Sequence, residues 1–273
     1  MPIIHSNSLA LRAEGQGNKT VVLIHGFCED HRIWDGFAAP LASRYRVVMP
    51  DLPGFGQSPL PTDRAVSIVG MAQAVHAALQ SLGIERPILI GHSMGGYVAL
   101  AYAQQYPEAL AGLGLFHSSA LPDSAERQQI RTRVIAEVRA NGVADYIQNL
   151  VPGLFASDHR AAHQPVINEL VARASQLSPE AVAQAAAAMR DRPDRQAVLQ
   201  KLLVPVLWVV GKADPVIPLA ASLAQLALAP DSTAHLLAVG HMGMFEAPAR
   251  TLAAIETFCQ SVYDSNGTDS LLP

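Results

Sequence analysis

The sequence predicts an α/β protein, a mostly parallel sheet with helices on both faces and a helical insertion. Short apolar, β-branched runs recur at Val21 to Ile24, Arg46 to Met49, Pro87 to Ile90, Leu113 to Phe116, Pro205 to Val210 and His235 to Val239. Continuous apolar runs of that length read as strands buried on both faces. Between most of them lie helix-length stretches, Ala65 to Leu82, Gly95 to Tyr106, Leu219 to Ala229 and Ala249 to Val262. Strands alternating with helices are the pattern of a parallel sheet joined by crossover helices.

A break in that rhythm locates the insertion. From Pro122 to Gln200 there is no convincing strand, and the composition turns to Ala, Gln, Arg and Glu with prolines at 152, 165, 179 and 193. The expected division is a sheet domain of residues 1–121 and 201–263, a helical cap of residues 122–200, and a polar, aperiodic tail of residues 264–273. No internal repeat is present.

Composition narrows the function classes. The chain has 273 residues, 50% of them hydrophobic and 15% charged, with a formal net charge of −4. That is a packed globular protein with no electrostatic footprint for nucleic acid. Arg127, Arg131 and Arg133 form a short basic run, read as a solvated helix face. Cys28 and Cys259 are too few for a disulfide framework and are read as free thiols. The N-terminus lacks the pattern of a signal peptide and no apolar stretch has spanning length, so a cytoplasmic location without membrane contact is expected.

The segment richest in chemistry is Ile88-Leu89-Ile90-Gly91-His92-Ser93-Met94-Gly95-Gly96, a strand that meets a helix through a serine with glycines two residues away on each side. This is the spacing of a nucleophile elbow. A serine in such a strained turn brings backbone segments together, so only small residues fit at Gly91 and Gly95. The helix that follows presents its N-terminal amides to developing negative charge.

Upstream, Val21-Val22-Leu23-Ile24-His25-Gly26-Phe27 is a strand ending in a His-Gly turn. The backbone amides of Phe27 and Met94 are the expected oxyanion donors. Downstream, Asp214 follows the strand Val206 to Val210. Asp-Pro is also a good helix start, so capping and catalysis both remain open there. His241 lies in a loop after the last strand, and the order serine, acid, histidine matches the chemistry. Of the other histidines, His25 and His92 fall in the turns just described and His117 ends a strand. His159 and His163, four apart, could share a helix face, but no third metal ligand lies near them. No metal is expected.

These segments together resemble the α/β-hydrolase family, over Thr20 to Ala120 and Leu203 to Val262. Asp51-Leu52-Pro53-Gly54-Phe55-Gly56-Gln57-Ser58 is similar to the family's loop after an early strand, and Gly211-Lys212-Ala213-Asp214 and Gly240-His241 to its acid and histidine loops. The resemblance implies an eight-stranded, mostly parallel sheet with a helical cap inserted after the sixth strand. It implies acyl transfer to water through Ser93, His241 and Asp214, without a cofactor, on a small-molecule substrate. Serine at the elbow separates the chain from relatives that use aspartate there, the haloalkane dehalogenases and epoxide hydrolases. Phe27 and Cys28 stand where perhydrolases and haloperoxidases often carry Trp and Pro. Carbon–carbon bond hydrolases and lactonases share the triad, and some members of the fold are receptors with little or no turnover. Leu150, Leu154 and Phe155 of the cap, with Cys28 beside the oxyanion loop, are the expected pocket residues, suited to a small or medium acyl chain. Oligomeric state is not legible.

Overall fold

A computed structural model describes residues 3–6 and 9–268. Its strands are β1 (Ile3–Ser6), β2 (Leu9–Glu14), β3 (Thr20–Ile24), β4 (Arg46–Pro50), β5 (Ile88–His92), β6 (Gly112–Phe116), β7 (Val206–Gly211) and β8 (Ser232–Leu237). They form one sheet in the order β1-β2-β4-β3-β5-β6-β7-β8. β1 and β2 pair antiparallel with each other, and β2 pairs antiparallel with β4. All other pairings are parallel.

The helices are α1 (Asp35–Ala42), α2 (Ile68–Ser81), α3 (Met94–Gln105), α4 (Ala125–Asn141), α5 (Ala144–Leu154), α6 (Gln164–Ala174), α7 (Pro179–Arg190), α8 (Gln196–Lys201), α9 (Leu219–Leu223), α10 (Gly243–Glu246) and α11 (Pro248–Thr268). Every residue of β3, β5, β6 and β7 is buried. Successive side chains of a strand point to opposite faces. Val21 and Leu23 therefore pack in the core that contains Phe37 of α1 and Phe258 of α11. Val22 and Ile24 pack in the other core, with Met71 of α2 and Val98 of α3. No helix among the described residues is long and apolar enough to cross a membrane.

Between β6 and β7 the chain forms α4 to α8 and no strand, as the break at Pro122 predicts. α4 starts cleanly because the Ser124 hydroxyl accepts from the Arg127 amide at its N-cap.

The structure differs from the sequence reading in five elements. β1 and β2 are an antiparallel pair at one edge that carries too little β-branched apolar sequence to be legible. β8 starts at Ser232, earlier than His235, because its pairing with β7 runs from Val206–Ser232 to Gly211–Leu237. α9 stops at Leu223, where backbone bonding tightens to i→i−3 at Gln225 and Leu226 and the Gln225 side chain donates to the Ala221 carbonyl. α11 runs through Thr268 rather than yielding at Asp264, since no helix breaker precedes Gly267; the Ser265 hydroxyl donates to the Ser261 carbonyl and Asp264 lies 3.9 Å from Lys19. Residues 269–273 of the expected tail lie outside the described residues.

Candidate active site

Three non-glycine residues hold positive φ among the described residues: Cys28 at 61°, Ser93 at 49° and His117 at 47°. They follow the His-Gly turn, β5 and β6, at the ends of adjacent parallel strands. Such backbone is uncommon and gathers where function over-determines it. At Ser93, a Cβ on Gly91 would overlap the Gly95 backbone, and one on Gly95 would overlap the carbonyls of Ile24 and His25. The glycine spacing is thus a packing requirement of the elbow.

Ser93 and His241 line one cavity of about 210 Å³, together with Phe27, Leu150 and Leu154. The Ser93 hydroxyl and the His241 ring are not hydrogen-bonded to each other; such contacts commonly tighten only around a substrate. His241 Nδ1 lies 2.8 Å from Asp214 Oδ2. That bond requires a proton on Nδ1 and leaves Nε2 as the acceptor. The other oxygen of Asp214 accepts the amides of Val216 and Ile217 at 2.8 and 2.9 Å. No helix starts at Pro215, so the carboxylate caps none; one oxygen holds a turn and the other holds the His241 ring. Burial works against its charge, but the His241 ring beside it holds the carboxyl well below the usual range.

His117 Nδ1 stands 3.4 Å from the same Asp214 oxygen. Neither of its ring nitrogens makes a hydrogen bond among the described residues, so the contact is electrostatic only. Burial lowers the His117 pKa despite that carboxylate and keeps the ring neutral. The second imidazole thus crowds the acid without claiming it.

The amide of Met94 opens α3, and the first amides of a helix have no partner within it. Phe27 follows Gly26, whose amide donates to Glu29 Oε2 at 2.6 Å. Glu29 Oε2 also lies 2.9 Å from His92 Nδ1, and His92 Nε2 lies 3.0 Å from the His241 carbonyl. Both ring nitrogens of His92 face acceptors, so the ring is held as an imidazolium. Burial opposes both charges, yet Glu29 raises the His92 pKa and His92 lowers that of Glu29. One chain of contacts joins the Phe27 turn, the elbow and the His241 loop.

A second carboxylate braces that loop from the other side. Glu246, its side chain fully buried, accepts from the amides of Gly240 and Met242, which flank His241. It also accepts from the Ala156 amide and lies 2.7 Å from His159 Nδ1, both in the segment between β6 and β7. His163 Nε2 bonds the Phe245 carbonyl. His159 and His163 are therefore latches to the histidine loop.

Two pocket expectations are corrected. Cys28 lies in a separate small hollow with Leu170 and Arg173, and Phe155 is fully buried, packed on the rings of His163 and Phe245. Arg127 and Arg131 are corrected as well: both line the cavity, while Arg133 alone is the solvated residue of that run. Spacing carried the signal, since residues four apart share a helix face. Asp30, His31 and Asp51 bring possible metal-ligand atoms within 4.8 Å of one another. Those atoms are already engaged, Asp51 by His31 and Asp30 by Arg32.

Residues 19–248 match the family model for the alpha/beta hydrolase fold. The chain belongs to the α/β-hydrolase family. It is 32% identical to a thermophilic esterase from Thermogutta terrifontis, solved with malate bound, over 96% of this chain and 99% of that one, with a TM-score of 0.90. It is 32% identical to a pimeloyl-[acyl-carrier protein] methyl ester esterase of Aeromonas hydrophila, over 77% of this chain and 83% of the relative. It is 29% identical to a 2-hydroxy-6-oxononadienedioate/2-hydroxy-6-oxononatrienedioate hydrolase of Pseudomonas putida, over 89% and 86%.

Proposed function

We propose that this α/β-hydrolase is a serine hydrolase of small or medium carboxylic esters, with Ser93 as nucleophile, His241 as base and Asp214 as orienting acid. One observation carries the reading: a strained serine at the start of α3 shares a cavity with a histidine whose far nitrogen is held 2.8 Å from a buried aspartate.

In this reading His241 Nε2 takes the proton of Ser93, and the serine oxygen attacks the ester carbonyl. The amides of Phe27 and Met94 receive the oxyanion, a contribution of roughly 10²–10³ in rate for each donor. The tetrahedral intermediate collapses, His241 returns the proton to the departing alcohol, and an acyl group remains on Ser93. Water, activated by the same histidine, then releases the carboxylic acid and restores the serine. Asp214 stays ionised throughout and stabilises the imidazolium. Residues 122–200 act as the cap, and Leu150 and Leu154 give its pocket an apolar wall. The esterase relatives support the ester assignment.

A second reading, hydrolysis of a lactone or a carbon–carbon bond, needs the same residues and is favoured by the likeness to the Pseudomonas hydrolase. The test is a 4-nitrophenyl ester series from acetate to laurate, wild type against Ser93→Ala. The ester reading requires hydrolysis that peaks at short or medium chains and is lost in the variant. No hydrolysis of any ester by folded protein would overturn it in favour of the second reading.

A further inference from the structure

The cavity that holds Ser93 and His241 has an uneven charge balance. Its acidic lining residue, Glu29, is matched by His92. On the cap side, Arg131 Nε and Arg192 Nη1 share the single carboxylate of Asp123, at 2.6 and 2.7 Å. Arg192 also lies over the ring of Tyr97, another lining residue, 3.9 Å from its centroid. Arg127, one turn before Arg131 on the same face of α4, also lines the cavity and is half-buried. No Asp or Glu among the described residues lies within ion-pair distance of its guanidinium. Of three guanidinium groups on this side of a small, largely apolar cavity, two share the Asp123 carboxylate and that of Arg127 has none.

Guanidinium is the side chain best matched to a planar carboxylate, which it grips with two parallel N–H donors. An unpaired cation in such a position lowers the cost of desolvating an anionic ligand and penalises an isosteric neutral one less than it rewards the anion. A basic run spent only on solubility would not need two of its three members turned to the cavity.

We propose that the substrate carries a carboxylate apart from its scissile ester, received by Arg127 with Arg131 behind it. This rests on the ester-hydrolase reading for the bond that is cleaved, but the carboxylate site stands on the charges alone. Hydrolysis of a dicarboxylic half-ester consumes one water and yields a dicarboxylate, an alcohol and one proton released to solvent, so the product offers a direct probe of the site.

The test combines binding with turnover. Calorimetric titration with glutarate should show binding that weakens with added salt and at least tenfold in Arg127→Glu, with Arg127→Lys in between. Turnover of mono-4-nitrophenyl glutarate should exceed that of chain-matched 4-nitrophenyl valerate by about tenfold in kcat/KM, and Arg127→Glu should invert the ratio; a contact of this kind is on the order of one tenfold step. Glutarate that does not bind, or binds both proteins equally, overturns the proposal, as does an ester ratio that Arg127→Glu leaves unchanged. Arginine-dependent glutarate binding in a protein that cleaves neither ester would uphold the carboxylate site and reject the ester reading.

Discussion

Glu29 and His92 form a buried ion pair, 2.9 Å between Oε2 and Nδ1, directly behind the serine of the elbow. The pair spans from the Gly26 amide to the His241 carbonyl, so its charge state bears on three loops at once.

Its pH dependence has a definite sign. The Glu29 pKa is lowered from 4.5, so its contribution is present above that value and lost as pH falls through the lowered one. The His92 pKa is raised from 6.5, so its contribution is complete below that value and lost as pH rises through the raised one. Both are complete only between pH 4.5 and 6.5. Glu29→Gln should cost about 3 kcal/mol there, several degrees of Tm, because it leaves a buried cation unpaired. Thermal melts of both proteins across pH check this; a Tm difference that grows steadily above pH 6.5 contradicts it.

Asp214→Asn keeps the shape of the acid and removes the charge that fixes the His241 tautomer. On the proposed mechanism kcat should fall by roughly 10⁴ with KM little changed. A loss below about tenfold in kcat would show that Asp214 serves the turn at Val216 and Ile217 and not the histidine.

Glu246→Ala strips the acceptor from three backbone amides, those of Gly240, Met242 and Ala156. Each orphaned buried amide costs about 1–3 kcal/mol. The variant should melt well below wild type, and its surviving folded fraction should show a reduced kcat, since the His241 loop loses its brace. Unchanged stability by chemical denaturation would refute the assigned role.

Cys28 and Cys259 are both buried, and burial pushes both thiol pKa values up. Thiolate is the reactive form. Ellman's reagent at pH 8 should therefore titrate neither thiol until the protein is unfolded, and rapid reaction of one thiol in the native state would contradict their placement.

The sequence made the central strands, the strained turn at Ser93 and the loops that bring Asp214 and His241 together legible because each is specified locally, by an apolar run or by glycine spacing. β1 and β2 escaped because both are short and mix apolar with polar residues: in β2, Leu9, Ala10 and Leu11 are buried in succession, but Arg12 and Glu14 follow at once. The partners of the site escaped for a different reason. His92 reads as a turn residue until Glu29, 63 positions away, is brought against it. Glu246 carries no signal of its own in the sequence, since its partners Ala156 and His159 lie about 90 residues away. Arg127 and Arg131 announce a shared helix face, but which face meets the cavity is decided by how α4 packs. Phe155 and Cys28 were misjudged because proximity in sequence to the site does not fix which way a side chain is buried.

The most direct test of the account is covalent labelling of Ser93. Intact-protein mass spectrometry after treatment with a fluorophosphonate should show one adduct, mapped by peptide analysis to Ser93 and absent from Ser93→Ala and from heat-unfolded protein. Wild type that hydrolyses esters while Ser93 stays unmodified, or Ser93→Ala that is labelled to the same extent, would contradict the assignment of this serine as the nucleophile.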